Sequence, residues 1–232
     1  TLASNVALCV GPKIDYVAIE TYNLYDGEPL TLVMAESRIS AYLNPEQEVK
    51  EGELGAFDKE NKVCPWRIVD RIKGTDLEGL HYKQLMPWVK PCEKIGDFSS
   101  KFVNDYAEKH ADKVFTSEDG RDKFVEMDSE AFRVILGDYV TTEDGTGIVH
   151  IAPTFGADDA KVASDAKIPA LYLINKKGET RPMVDLQGKY YLEEELDANF
   201  VNVCLNKDAY AKHAGDYVKN SYDPKFNPDG VW

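Results

Sequence analysis

Apolar runs of strand length recur all along the chain, and each is stopped within about eight residues by glycine, proline, aspartate or a charged cluster. "VALCV" (6–10), "YVAIETY" (16–22), "LTLVM" (30–34), "KFVEM" (123–127), "FRVIL" (132–136), "GIVHIA" (147–152) and "ALYLIN" (170–175) have the length and the β-branched and aromatic content of strands. "DGEP" (26–29) puts Asp-Gly between two of them, a hairpin signal, and "KKGE" turns the chain after Asn175. "WRIVDRIK" (66–73) alternates, with Trp66, Ile68 and Ile72 on one face and Arg67, Val69, Arg71 and Lys73 on the other. That basic face reads as a solvated strand face rather than a phosphate contact. Helical periodicity enters at Asp97, where Phe98, Phe102, Tyr106 and Val114, with Val103, Ala107 and Ala111 beside them, mark one stripe of a helix ending near Thr116. A helical tail is expected over 193–220, followed by the loop "DPKFNPDG" (223–230). No repeat, linker or composition break divides the chain. The expectation is a single domain over residues 1–232, of the mixed α/β (α+β) class, with a few helices packed around many short strands.

The 232 residues, 43% of them apolar and 11% aromatic, suffice for a sizeable core. Charge narrows the partners. With 27 basic against 41 acidic side chains the net charge is −14, and phosphate neutralisation supplies most of the affinity of nucleic-acid binders, so the isolated chain should bind nucleic acid weakly. No apolar run approaches the roughly 20 residues that span a bilayer, so no membrane is expected. The start, "TLASN", has neither initiating methionine nor basic leader and reads as cut from a longer chain. Cys9, Cys64, Cys92 and Cys204 are scattered without a CxxC pair, which suggests neither a zinc site nor a disulfide framework and fits reduced thiols in the cytoplasm.

The most chemically loaded stretch is "GTGIVHIAPTFGADD" (145–159). In a strand over 147–152, Ile148, His150 and Ala152 share one face and Val149 and Ile151 the other; both are largely apolar, so an interior strand is expected. Pro153 cannot donate to a ladder and ends it. After Gly156, "ADDAKVASDA" reads as a helix with acids in its first turn, where the macrodipole favours them. At about 100° per residue, Val162, Ala163 and Ala166 fall within about 60° of Asp159, whereas Lys161 and Asp165 flank Asp158. Asp158 should face solvent and Asp159 the buried stripe, beside a strand end carrying His150. That is a fit lining for a small polar pocket. The same residues also suit a plainer reading, a hydrogen-bonded core histidine and a helix-capping aspartate. No phosphate-loop or nucleophile motif accompanies them.

The longer string "DYVTTEDGTGIVHIAPTFGADD" (138–159) resembles the signature of the editing domain inserted in isoleucyl-tRNA synthetases. "TLASN" resembles the end of that family's threonine-rich motif, with Ala3 in place of the usual proline. "LEGLHYKQLMPW" (77–88) is similar to its LxGxxY segment and "LINKKGETRPMV" (173–184) to a later hairpin. The length of 93–130 resembles the longer, eukaryote-like branch, which also occurs in some bacteria. The resemblance implies a β-barrel-like core of short, largely antiparallel strands with peripheral helices. It implies a deacylase that clears valine from the isoleucine tRNA by hydrolysing the ester at the tRNA 3′ end. Asp159 and His150 would be its catalytic pair, Asp159 accepting the α-ammonium and His150 gauging the aliphatic side chain. Thr1, Asn5, Thr146 and Gly147 would be substrate-binding. No cofactor is implied, since ATP and magnesium belong to the synthetic domain. The partners would be the acceptor end of the tRNA carrying valine and the remaining domains of the synthetase. A valyl- or leucyl-type editing domain, which His150 argues against, and a non-catalytic remnant are the competing expectations.

Overall fold

The computed structural model describes residues 4–218. The strands in chain order are β1 (Ala7–Val10), β2 (Asp15–Tyr22), β3 (Pro29–Ala35), β4 (Arg67–Lys73), β5 (Cys92–Ile95), β6 (Val114–Thr116), β7 (Lys123–Glu126), β8 (Arg133–Leu136), β9 (Ile148–Ile151), β10 (Leu173–Ile174) and β11 (Thr180–Arg181). The α-helices are α1 (Ile39–Tyr42), α2 (Gly74–Leu77), α3 (Lys101–Lys109), α4 (Ala157–Asp165), α5 (Ala198–Cys204) and α6 (Lys207–Tyr210). This is the expected mixture of short antiparallel strands and few helices. It is not a barrel: among the described residues the strands form small sheets of two or three, none closed on itself. Strands of two to eight residues, separated by turns, offer no continuous ladder that could return to its own edge.

Two compact units divide the chain. One gathers residues up to Ala7, His81–Arg133 and the chain from His150 onward; the other holds Leu8–Leu80 and Val134–Val149. The chain changes unit after Ala7, Leu80, Arg133 and Val149.

In the second unit β2 pairs antiparallel with β3 on one side and β4 on the other. The hairpin β2–β3 is closed around Gly27, which takes φ +76°. The β2–β4 register shifts between Ala18 and Ile19, the mark of a bulge at Val69. A one-residue slip exchanges the faces of a strand, and that overturns the simple alternation expected for 66–73. Trp66 and Ile68 pack with Val17, Ile19 and Met34, whereas Ile72 joins Val10, Tyr16, Ala35 and Leu77 on the opposite face of β2. The cations are indeed solvated and self-neutralised: Arg67 pairs with Glu20 (2.6 Å), Arg71 with Glu36 (3.2 Å) and Lys73 with Asp15.

In the first unit, β5, β7 and β6 form an antiparallel sheet on which α3 lies, burying Val103, Tyr106 and Ala107 against Val125 and Met127. Ser100 caps α3 by accepting the Val103 N–H (3.3 Å). The helix stops at Lys109, short of the expected Thr116, because His110 leaves helical backbone (φ −126°, ψ 55°) and residues 114–116 are drawn into the sheet as β6. Phe98, expected on the stripe, lies ahead of the helix and is fully exposed. The 173–184 hairpin forms as β10–β11, but only Leu173 and Ile174 of "ALYLIN" are strand. The expected tail helix resolves into α5 and α6; its end at 219–220 and the loop at 223–230 lie outside the described residues.

Candidate functional site

The site is built where β9 gives way to α4. Pro153 ends the strand, the Phe155 N–H donates to Ala152 O (3.0 Å) to close the turn, and Gly156 precedes the first helical residue in extended backbone. The helical-wheel reading holds: Asp158 is exposed, while Asp159 is half-buried on the side of the buried Ala163. Asp159 does not cap its own helix. Its Oδ2 accepts the Ala152 N–H (2.8 Å), tying the first turn of α4 back to the strand end, and Oδ1 carries no hydrogen bond among the described residues. A carboxylate fixed by one oxygen, at the positive end of a helix, presents the other to a cation.

His150 departs from expectation. It is exposed, not interior, although Ile151 and Ala152 beside it are fully buried. The cluster that covers Ile148 does not include it, and its ring has no hydrogen-bond partner among the described residues, so hydration is the cheaper state for an unpaired imidazole.

The described end of the "TLASN" segment, Ser4 and Asn5, lies alongside. The Val6 N–H donates to Ile151 O (2.9 Å), which sets residues 4–6 beside the end of β9. Asn5 is buried, with its amide engaged at both ends: Nδ2 donates to Ala7 O (2.9 Å) and Oδ1 accepts the Tyr82 hydroxyl (2.5 Å). Burial pushes the Tyr82 phenol well above its ordinary value, so it stays a donor. Tyr82 is the tyrosine of the LxGxxY segment, and its pairing with Asn5 joins two motifs 77 residues apart. Nothing in the spacing of either motif announces that contact. Two further hydroxyls, Ser4 Oγ and Thr154 Oγ1, are buried with no hydrogen-bond partner among the described residues. Thr1 lies outside the described residues.

Thr146 and Gly147 belong to the second unit, where three consecutive carbonyls of the "GTG" are held. Gly145 O accepts Arg38 Nε–H (2.9 Å), Thr146 O accepts the Ala35 N–H (2.8 Å) and Gly147 O accepts the Tyr16 hydroxyl (2.6 Å). Gly147 is required on two counts: φ is +77°, and a Cβ there would stand 2.7 Å from Ala35 Cβ. Arg38 and Tyr16 are positioning residues that the sequence did not single out.

No family model matches the chain. Over all 232 residues it is 51% identical to the isoleucine-tRNA ligase of Bacteroides thetaiotaomicron. The chain belongs to the isoleucine-tRNA ligase family, as a segment of it. It spans 18% of that relative's length. It is also 48% identical over 227 residues to the ligase of Bacteroides fragilis and 43% identical over 223 residues to that of Porphyromonas gingivalis, covering 17% and 16% of their lengths. Within the described residues of this ligase segment no group of histidine, cysteine and acidic side chains is arranged to hold a metal ion, and Cys9, Cys64, Cys92 and Cys204 form no disulfide.

Proposed function

We propose that this segment is the hydrolytic proofreading site of an isoleucine-tRNA ligase, removing valine esterified to the 3′ end of the isoleucine tRNA. A pocket shaped for isoleucine discriminates poorly against valine, since one missing methylene is worth only about 1–3 kcal/mol, a magnitude established for this enzyme family in general. A second site that admits the smaller side chain supplies the rest.

The observation that carries this reading is the fixed carboxylate of Asp159, with one oxygen held by the Ala152 N–H and the other open. In this reading Oδ1 receives the α-ammonium of the misplaced amino acid and so sets where its ester lies. His150, exposed and two residues before Ala152, stands against the aliphatic side chain and limits its size. The buried, unpartnered Ser4 and Thr154 hydroxyls suit a held water or a ribose hydroxyl. Asn5 contributes to the wall for the terminal adenosine as a member of the rigid pair with Tyr82, and Thr1 is assigned to substrate binding by the motif it begins. Thr146 and Gly147 act by fixing where β9 begins. The chemistry asks for positioning: an ester flanked by a ribose hydroxyl is already activated, and orienting water against it contributes more than a strong base would.

Asp159→Asn in the full-length ligase tests the assignment. The amide oxygen retains an acceptor for the Ala152 N–H, so only the charge is removed. Hydrolysis of Val-tRNA should fall roughly 10- to 100-fold, as expected for a charge-assisted hydrogen bond worth about 1.5–3 kcal/mol, while isoleucine charging persists. Undiminished hydrolysis of Val-tRNA would refute the role.

A further inference from the structure

A cleft of about 510 Å³ opens along the exposed edge of α3, in the same unit as Asp159. Its lining includes Phe102 and Tyr106, four residues apart on one side of α3, and His110 just past the helix end, with the His110 ring 4.2 Å from that of Tyr106. Its rim carries Lys101, Lys109 and Lys167. Lys101 is committed to Asp105 (2.5 Å), and Glu130 is the other acid at the rim. Lys109 and Lys167 are exposed and form no ion pair among the described residues; the Lys167 ammonium stands 5.8 Å from the centre of the Phe102 ring. In a chain of net charge −14, two uncommitted ammonium groups beside an aromatic face are a local exception to the acidic surface.

We infer that this cleft holds single-stranded RNA a few nucleotides inward of its 3′ end, one or two phosphates against Lys109 and Lys167 and a base against the Phe102 edge of the aromatic row. Ammonium groups interleaved with aromatic rings are the combination that single strands use, phosphates taking the charge and bases the π-faces. Helix α4 gives the placement. Asp159 lies in its first turn, and Lys167 follows its last residues in left-handed backbone (φ +57°), delivered to the cleft there. Eight residues at 1.5 Å separate the two along the axis by roughly 12 Å. A stacked strand covers that span in three or four nucleotides at about 3.4 Å each. A strand whose last nucleotide presents its ester at Asp159 therefore reaches the cleft with nucleotides just inward of it. This polarity rests on the proofreading reading; the cleft's chemistry does not. The interaction is weak, and its effect is to align a strand that the rest of the acidic surface repels.

The test is a titration of the 232-residue chain at low ionic strength with a fluorescently labelled single-stranded tetraribonucleotide, with inorganic phosphate as a separate arm. Lys109→Glu combined with Lys167→Glu should weaken RNA binding at least fivefold and flatten its salt dependence by about 0.7 for each phosphate no longer neutralised. Phe102→Ala should weaken it without changing that slope. Both lysines are exposed, so an unchanged urea midpoint shows the variant folded; Lys167→Arg, which keeps the charge, should bind as the parent does. RNA affinity unchanged in the double variant overturns the inference, as does inorganic phosphate displacing the RNA completely at equal concentration, which would mark a simple anion site. Asp159→Asn separates the two proposals. If it abolishes Val-tRNA hydrolysis while the lysine variants leave RNA affinity intact, the cleft assignment alone fails. If the lysine variants lose RNA while Asp159→Asn still hydrolyses Val-tRNA, the proofreading assignment alone fails.

Discussion

Gly147→Ala probes the joint on which the "GTG" depends, and its cost follows from two independent features. The backbone is left-handed, φ +77°, which costs a residue with a Cβ about 1–2 kcal/mol; the stiffer unfolded chain returns roughly 0.4–1 kcal/mol of that. The new Cβ also stands 2.7 Å from Ala35 Cβ. Ala35 is fully buried, and its N–H is bonded to Thr146 O at 2.8 Å, so neither side can withdraw without breaking that bond. Overpacking of this kind costs typically about 1–3 kcal/mol. The sum is roughly 1–5 kcal/mol, centred near 3 kcal/mol. Urea unfolding followed by the fluorescence of the buried Trp66, in a background with Trp88 and Trp232 replaced by phenylalanine, should show the midpoint falling by about 1–2 M at the slopes usual for small proteins. Ala35→Gly removes the clashing atom but not the left-handed strain, so a double-mutant cycle should return a coupling of about 1–3 kcal/mol. A destabilisation below about 1 kcal/mol, or no coupling to Ala35→Gly, would refute the close-approach argument.

Tyr82→Phe removes the donor to Asn5 Oδ1 and leaves a buried acceptor unmet; the expected destabilisation is about 1–2 kcal/mol in the same urea assay, and a neutral result would deny that the two motifs support each other. Glu93 accepts the Ala170 N–H (2.8 Å) and the Tyr172 hydroxyl, and burial raises its carboxyl above the ordinary 4.5. The folded form then releases its proton later than the unfolded chain, so the stability Glu93 contributes is complete below about pH 4.5 and declines as pH rises through the folded value. Glu93→Gln cannot ionise, and its thermal midpoint relative to the parent should climb between about pH 4 and pH 7; a difference flat with pH would contradict the raised carboxyl.

Several elements were legible because they rest on local rules. Asp159 and Asp158 separate on a helical wheel, and the structure keeps them apart as the 100° spacing requires. The hairpin at Gly27 follows from its Asp-Gly turn. Misreadings arose where a neighbour in space intervened. Ile72 lies on the wrong face for an unbroken strand because a bulge against β2 shifts the register. Residues 114–116 leave the helical pattern because β7 offers them a ladder.

The sequence by itself determined the strand, turn and helix that carry His150 and Asp159, because period, proline and glycine act within a few residues of themselves. Only the tertiary structure decided what those side chains do. His150 is exposed because no packed cluster reaches it. Asp159 is half free because one of its oxygens is spent on Ala152. The "GTG" is rigid because Tyr16 and Arg38, more than a hundred residues away in sequence, donate to its carbonyls. Hydrogen bonds of that separation depend on where two remote backbones pass each other, and no local pattern of residues encodes the meeting.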